Sequence, residues 1–222
     1  MRCTDLINRL HPLPPDFVPD DLTAPRIPFD ALPDDPKRLL SRPAAQAAEK
    51  LFQAAAKDCM ALYGISGYRP YARQRELFEA HMAAHPELAL SPPAPPAPMP
   101  SGGNSAAKDA GTAAAGRNAP VILAVAPPGA SEHQSGLALD VSCPAAGLEL
   151  TEDFARTPEG AWLSRNAPLY GFVIRYPRGK ETVTGCPWEP WHIRYVTRPL
   201  ALYLNMTGLT LDEYIPTEKL FI

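Results

Sequence analysis

The chain has 222 residues, 45% of them hydrophobic, with a formal net charge of −3 and no lysine- or arginine-rich run. That is enough for one buried core, and the charge excludes the basic footprint of a nucleic-acid binder. No apolar stretch approaches the ~20 residues that cross a bilayer, so no integral membrane segment is expected.

Residues 1–40 are rich in Pro and Asp without sustained periodicity and predict irregular structure wrapped around a domain. The start, Met1-Arg2-Cys3-Thr4-Asp5-Leu6-Ile7-Asn8, lacks the apolar core of a signal peptide. Over 43–62, Leu51, Phe52, Ala55, Cys59 and Leu62 recur at helical spacing, and Gly64 closes the helix. A strand at 65–68 leads to Arg69, then a helix covers about 72–84.

The segment from 86 to about 120 is different. Pro92-Pro93-Ala94-Pro95-Pro96-Ala97-Pro98 predicts a stiff stretch and Ser101-Gly102-Gly103-Asn104-Ser105 a flexible one. With almost nothing apolar to bury, it reads as a mobile surface insertion before a strand at 121–125. Thr157, Pro158 and Glu159 make a helix start leading through Trp162 and Leu163. Strands are expected at 172–176 and 191–196, and Thr210 with Glu213 forms a capping box for a last helix. Trp162, Phe172 and Trp191 read as core. The order predicts an α+β fold, helices packed on a small, largely antiparallel sheet.

Two stretches about 50 residues apart carry the chemistry: Ser131-Glu132-His133-Gln134-Ser135-Gly136-Leu137-Ala138-Leu139-Asp140 and Glu189-Pro190-Trp191-His192-Ile193-Arg194-Tyr195. In the first, Leu137, Leu139 and Val141 fall on one, core-facing side of a strand. Asp140 falls on the other, an open face with the small neighbours Ala138 and Ser142. Gly136 allows a bend that brings His133 back towards Asp140. In the second, Pro190 discourages a helix, and His192 and Arg194 share a face opposite Trp191, Ile193 and Tyr195. Two His and one Asp suit a tetrahedral Zn²⁺ with its fourth position open to water, one ion per chain. Glu189 is left over as a general base, as a metal-assisted amide hydrolase requires. Either stretch alone would equally suit a hydrogen-bonded His–Asp pair or an ordinary strand.

S-x-H-x-x-G-x-A-x-D followed by E-P-W-H-x-R-Y-V resembles the VanY-type D-alanyl-D-alanine carboxypeptidases. These are zinc peptidases that trim peptidoglycan stem peptides and share a fold with the hedgehog amino-terminal domain. Ser66-Gly67-Tyr68-Arg69-Pro70-Tyr71 with Gln74, Tyr170-Gly171-Phe172-Val173-Ile174-Arg175-Tyr176-Pro177 and Leu209-Thr210-Leu211-Asp212-Glu213-Tyr214 extend the resemblance over most of the chain. It implies a hedgehog/D,D-peptidase-like fold in a single domain, 1–222, with the insertion at about 86–120. The implied ligands are His133, Asp140 and His192, with Glu189 as base.

The resemblance also implies that Arg69 faces the scissile carbonyl and that Ser131 and Gln74 lie near the substrate's terminal portion. Arg69 could instead be a surface salt-bridge partner, Ser131 a turn residue and Gln74 a solvated helix residue. Pro70 stands where the family usually has a small hydroxyl residue. For the substrate's free carboxylate the candidates are Ser131, Gln74 and Arg175.

The implied substrate is a peptidoglycan stem peptide or precursor, cut by a D,D-carboxypeptidase; the oligomeric state is left open, with a monomer favoured. An endopeptidase or L,D-carboxypeptidase is the alternative within the enzyme class, and a non-catalytic wall-binding module the alternative outside it. The family commonly works outside the membrane, so the location is the cell envelope if a leader was removed and the cytoplasm otherwise. Cys3, Cys59, Cys143 and Cys186 have no C-x-x-C spacing; Cys143 and Cys186 are either a disulfide near the site or, the favoured reading, two small buried side chains.

Overall fold

The computed structural model describes residues 2–90 and 122–214. Its elements are β1 (Leu22–Thr23), β2 (Leu40–Ser41), α1 (Arg42–Lys57), β3 (Tyr63–Ser66), α2 (Tyr71–Ala84), β4 (Ala138–Ser142), α3 (Pro158–Asn166), β5 (Phe172–Tyr176), α4 (Glu181–Thr184), β6 (Glu189–Tyr195) and α5 (Arg198–Thr207). Strands β1 and β2 form a ribbon; the other four form one antiparallel sheet in the order β3-β4-β6-β5. The protein is therefore α+β with small antiparallel sheets, as expected.

Helix α1 buries Ala44, Ala48, Leu51, Phe52 and Ala55 on one stripe against Leu137, Leu139, Val141, Phe172 and Ile193 of the sheet and Trp162 and Leu163 of α3. The period-2 alternation of β4 and β6 thus delivers one set of side chains to this core and turns Asp140 and His192 the other way. On that second face α5 packs Leu200, Ala201 and Leu204 against Val173 and Val196. The N-terminal segment is mostly irregular and fastened to the body: Leu13 N–H bonds the Gly129 carbonyl, and the Gln134 amide bonds the carbonyls of Pro14 and Phe17.

Several boundaries differ from the sequence reading. Helix α1 stops at Lys57, not at 62. Asp58 is pinned by the Trp162 indole N–H at 2.7 Å, Cys59 turns to φ +58°, and Met60 N–H closes back on the Ala55 carbonyl. That left-handed closure satisfies end carbonyls that a longer helix would have used. Residues 122–125 form no strand: Leu123 N–H bonds the Gly185 carbonyl, and the Ala126 carbonyl is taken by a Gln74 side chain. Helix α5 was not anticipated, although Pro199 near its start and a left-handed Gly208 after its end are the usual signals.

The Thr210–Glu213 capping box forms, with Thr210 N–H to the Glu213 carboxylate at 2.8 Å and Glu213 N–H to the Thr210 hydroxyl at 3.3 Å. It closes a turn among the described residues; residues 215–222 lie outside them. The expected insertion also lies mostly outside, its first residues, Pro86–Leu90, making one 3₁₀ turn. The cysteines are free thiols, with Cys143 buried and Cys186 half-buried.

Candidate metal centre and active site

Register places the candidate ligands side by side. Asp140 on β4 sits opposite His192 on β6, with Ser66 of β3 across on its other side. His133 comes from a 3₁₀ turn, Glu132–Ser135, closed by Gly136 at φ +67°. A Cβ on Gly136 would lie 2.7 Å from the Ser41 amide nitrogen, so the bend has no room for a side chain. One ligand atom from each of His133, Asp140 and His192 fits within 4.8 Å of the others, and all three residues are buried. The Asp140 face is thus a covered one and not the open face expected from its small neighbours.

The two imidazoles face the carboxylate through different nitrogens. His133 Nε2 lies 3.2 Å from Asp140 Oδ2, while its Nδ1 is 2.6 Å from the Gly67 carbonyl and donates to it. His192 Nδ1 lies 2.9 Å from Asp140 Oδ1, with Nε2 directed away. Gly67 is required here: a Cβ would fall 2.4 Å from the Leu39 carbonyl oxygen. Burial opposes a charged Asp140, yet the two imidazoles hold its carboxyl well below the usual range. Burial lowers His133. It also opposes protonation of His192, but the hydrogen bond to Asp140 and the nearby Glu132 carboxylate win and take it up to about 9.

Glu189 Oε2 stands 3.7 Å from His192 Nδ1. Burial, with Asp140 nearby, raises its carboxyl to about 7. That is the range in which a carboxyl can both accept and return a proton near neutrality. Arg69, between β3 and α2, points into the same space. Its Nη1 donates to Gln74 Oε1 at 2.9 Å, and its Nη2 donates to the Ser66 hydroxyl at 3.3 Å and lies 3.9 Å from Asp140 Oδ2. The cleft they share has a volume of ≈ 300 Å³ and is also lined by Ser131, Tyr176, Cys186 and Trp191.

The outlying expectations fare differently. Ser131 lines the cleft and leaves its hydroxyl out of the turn's cap. Gln74 is not a solvated helix residue: it is 1% exposed, the one fully buried residue of α2, and both amide ends are engaged, by Arg69 and by the Ala126 carbonyl at 2.6 Å. Arg175 is no candidate for a substrate carboxylate. It is 1% exposed, and its guanidinium is held by Glu132 at 2.7 Å and Asp212 at 2.5 Å. Trp191 is half-buried and forms a cleft wall as well as the rim of the core.

Sequence reasoning passed over Glu132 and Tyr176. The Tyr176 ring lies against the His192 imidazole, centroids 5.0 Å apart. Glu132 is buried between Arg175 and Arg194. The available signal was two arginines inside apolar strands, which require a buried counter-charge.

The residues fit a divalent cation. Three buried donors of the N, N, O type converge, the Nδ1 proton of His133 is already committed to a carbonyl, and an acid–base carboxyl stands beside them.

A profile of the D-alanyl-D-alanine carboxypeptidases, VanY, matches residues 37–198. The chain is 37% identical over 96% of its length to "Putative carboxypeptidase YodJ" of Bacillus subtilis (strain 168), spanning 67% of that protein. It is 34% identical over 77% of its length to a D-alanyl-D-alanine carboxypeptidase of Enterococcus faecalis, spanning 53% of it. Among solved structures, the LdcB LD-carboxypeptidase superposes with a TM-score of 0.75 at 35% identity, covering 94% of this chain and 83% of LdcB. VanYB in complex with D-alanine-D-alanine superposes with a TM-score of 0.66 at 28% identity, covering 96% of each chain. A VanY D,D-pentapeptidase in complex with Zn(II) superposes at 0.64 and 25% identity, covering 96% of this chain and 99% of the other. The helices on a small antiparallel sheet are the hedgehog-like fold of these peptidases, and the chain belongs to the VanY family of D-alanyl-D-alanine carboxypeptidases.

Proposed function

We propose that this carboxypeptidase is a zinc-dependent D,D-carboxypeptidase that hydrolyses the terminal D-Ala from peptidoglycan stem peptides or their precursors. The observation that carries the reading is the convergence of His133, Asp140 and His192 on one point of the cleft that Glu189 and Arg69 also line. A Zn²⁺ ion held by His133 Nε2, Asp140 and His192 Nδ1 would supply a Lewis acid and acidify a water molecule.

The protein's own groups supply the rest. Glu189 takes a proton from the attacking water and returns it to the amide nitrogen as the C–N bond breaks, which leaves the shortened peptide carboxylate and free alanine. Arg69 aims its guanidinium at the cleft, where it stabilises the negative charge that grows on the carbonyl oxygen. Gln74 fixes the Arg69 fork, and Ser131 offers a hydroxyl to the terminal portion of the substrate. These groups all line one cleft of a single chain, and a monomer is the proposed active form.

The similarity to LdcB supports one alternative, removal of a terminal D-Ala across an L,D bond. Metal-loaded protein incubated with a D-Ala-D-Ala-terminated pentapeptide and, separately, with the tetrapeptide decides between them. Loss of one alanine from the pentapeptide is expected. Loss only from the tetrapeptide assigns the L,D activity, an internal cut an endopeptidase, and no turnover of either a binding module.

A further inference from the structure

Glu132 lies behind the metal centre, 1% exposed, so its charge is met by protein groups and not by solvent. Its two oxygens have separate surroundings. Oε1 accepts a hydrogen bond from Arg175 Nε at 2.7 Å and forms an ion pair with Arg194 Nη1, also at 2.7 Å. Oε2 has no hydrogen-bond partner, and the polar atom facing it is His192 Nε2, 3.7 Å away and likewise without a partner. Two buried, complementary atoms that face each other so closely form a charge-assisted hydrogen bond after a shift of about 1 Å.

The layer beyond is rigid. Arg175 is tied again to Asp212, and Arg194 donates to the carbonyls of Cys3 and Asp5 at 3.1 and 2.9 Å. The carboxylate therefore cannot swing away from the imidazole.

We propose that Glu132 is the positioning residue for His192: its Oε2 accepts the Nε2 proton, fixes the ring and its tautomer, and so presents Nδ1 as the metal-binding nitrogen. His133 needs no such group because the Gly67 carbonyl performs the same service from the opposite ring nitrogen. Arg175 occupies Oε1 with its hydrogen bond and Arg194 adds charge there, so Oε2 is left for the histidine even without Arg194. Only a carboxylate suits this place, since donors approach it from both sides and an amide would set its own N–H groups against one of them. Partners behind a histidine ligand typically govern metal affinity by about 10–100-fold.

This inference rests on the proposed metal site, so the wild-type protein is tested first, by zinc competition against a chromophoric chelator. No binding there would remove the metal site and this role with it. Given binding, Arg194→Gln and the charge-balanced double variant Glu132→Gln/Arg194→Gln are compared by the same competition, with thermal unfolding measured in parallel. Both lose the Arg194–Glu132 pair, but only the second loses the group facing His192. Arg194→Gln is expected to lose thermal stability and keep its zinc affinity; the double variant is expected to bind zinc about 10–100-fold more weakly. Equal affinity in the two variants overturns the assignment. Should either variant fail to fold, ¹⁵N-edited spectra of zinc-loaded wild type decide. A His192 proton on Nε2, shifted downfield and slow to exchange, is expected; a fast-exchanging Nε2 proton, or a metal on Nε2, overturns it.

Discussion

The site has two halves built in different ways. Asp140 and His192 stand on paired central strands, and behind them Glu132, Arg175, Arg194 and Asp212 form a largely buried charge layer. Glu189 at the first residue of β6, Arg69 before α2, and the 122–126 segment make the other half, at strand ends and in loops. The strand half gets its precision from backbone ladders that also hold the core. The loop half gets it from side-chain hydrogen bonds, the chain Ala126 carbonyl–Gln74–Arg69–Ser66 above all. Substitutions in the first half are therefore felt as folding and metal affinity, and those in the second as turnover.

The sharpest test of that division is Glu189→Ala. It removes the acid–base group without removing a ligand, so turnover should fall by about 10²–10⁴-fold while bound zinc, measured on the same samples, stays at the wild-type level. Loss of the metal would move Glu189 into the ligand half. Arg175→Met attacks the other side. It leaves Glu132 to Arg194 alone and takes the guanidinium from half-buried Asp212, and removing one partner of a buried pair typically costs about 3–5 kcal/mol. Chemical denaturation should report that loss, and a protein that unfolds at the wild-type midpoint would show the charge layer to be dispensable.

Arg69→Lys keeps the charge but not the planar fork that bonds Gln74 and Ser66 at once. Turnover should fall by about 10²–10³-fold, the effect of removing one oxyanion donor, with little change in KM. An increase in KM alone would place the guanidinium on the substrate's carboxylate instead. Gln74→Ala is gentler on chemistry, since it loosens Arg69 without removing it. Loss of the hydrogen bond to the half-buried Ala126 carbonyl should cost about 0.5–1.5 kcal/mol, and kcat should fall less than in Arg69→Lys. If kcat fell as far, Gln74 would have to touch the substrate.

The smallest effect concerns Cys186 in the cleft wall. Burial, then the neighbouring Glu189, pushes its thiol up to about 12. At pH 8 the thiolate fraction is on the order of 10⁻⁴, so a thiol reagent should modify exposed Cys59 well before Cys186. Mass mapping that found Cys186 labelled first would mean a more open cleft wall.

The period-2 alternation of 137–142 and 191–195 separated the core-facing side chains from those of the site, apart from Trp191, which also lines the cleft, because one face of each strand must be apolar. The two motifs together nominated His133, Asp140, His192 and Glu189, because two imidazoles and two carboxylates so spaced suit metal-assisted hydrolysis. The α+β order, the helix at α2 and the start of α3 were legible from spacing and caps.

What remained hidden was whatever depends on distant partners. Arg175 reads as an available cation in the sequence, and only the packing of Glu132 and Asp212 around it shows that its charge is spent. Gln74 reads as a surface residue of a polar helix, and only the return of 122–126 past α2 buries it. The same holds for the two nitrogens of His133 and His192: sequence names the imidazole, but the choice of nitrogen is made by whichever buried acceptor the fold brings to its other side, the Gly67 carbonyl for one and the Glu132 carboxylate for the other. Local pattern fixes which residues face the site because backbone geometry is periodic. Hydrogen-bond and charge pairing is not periodic, so it was decided only when the chain closed on itself.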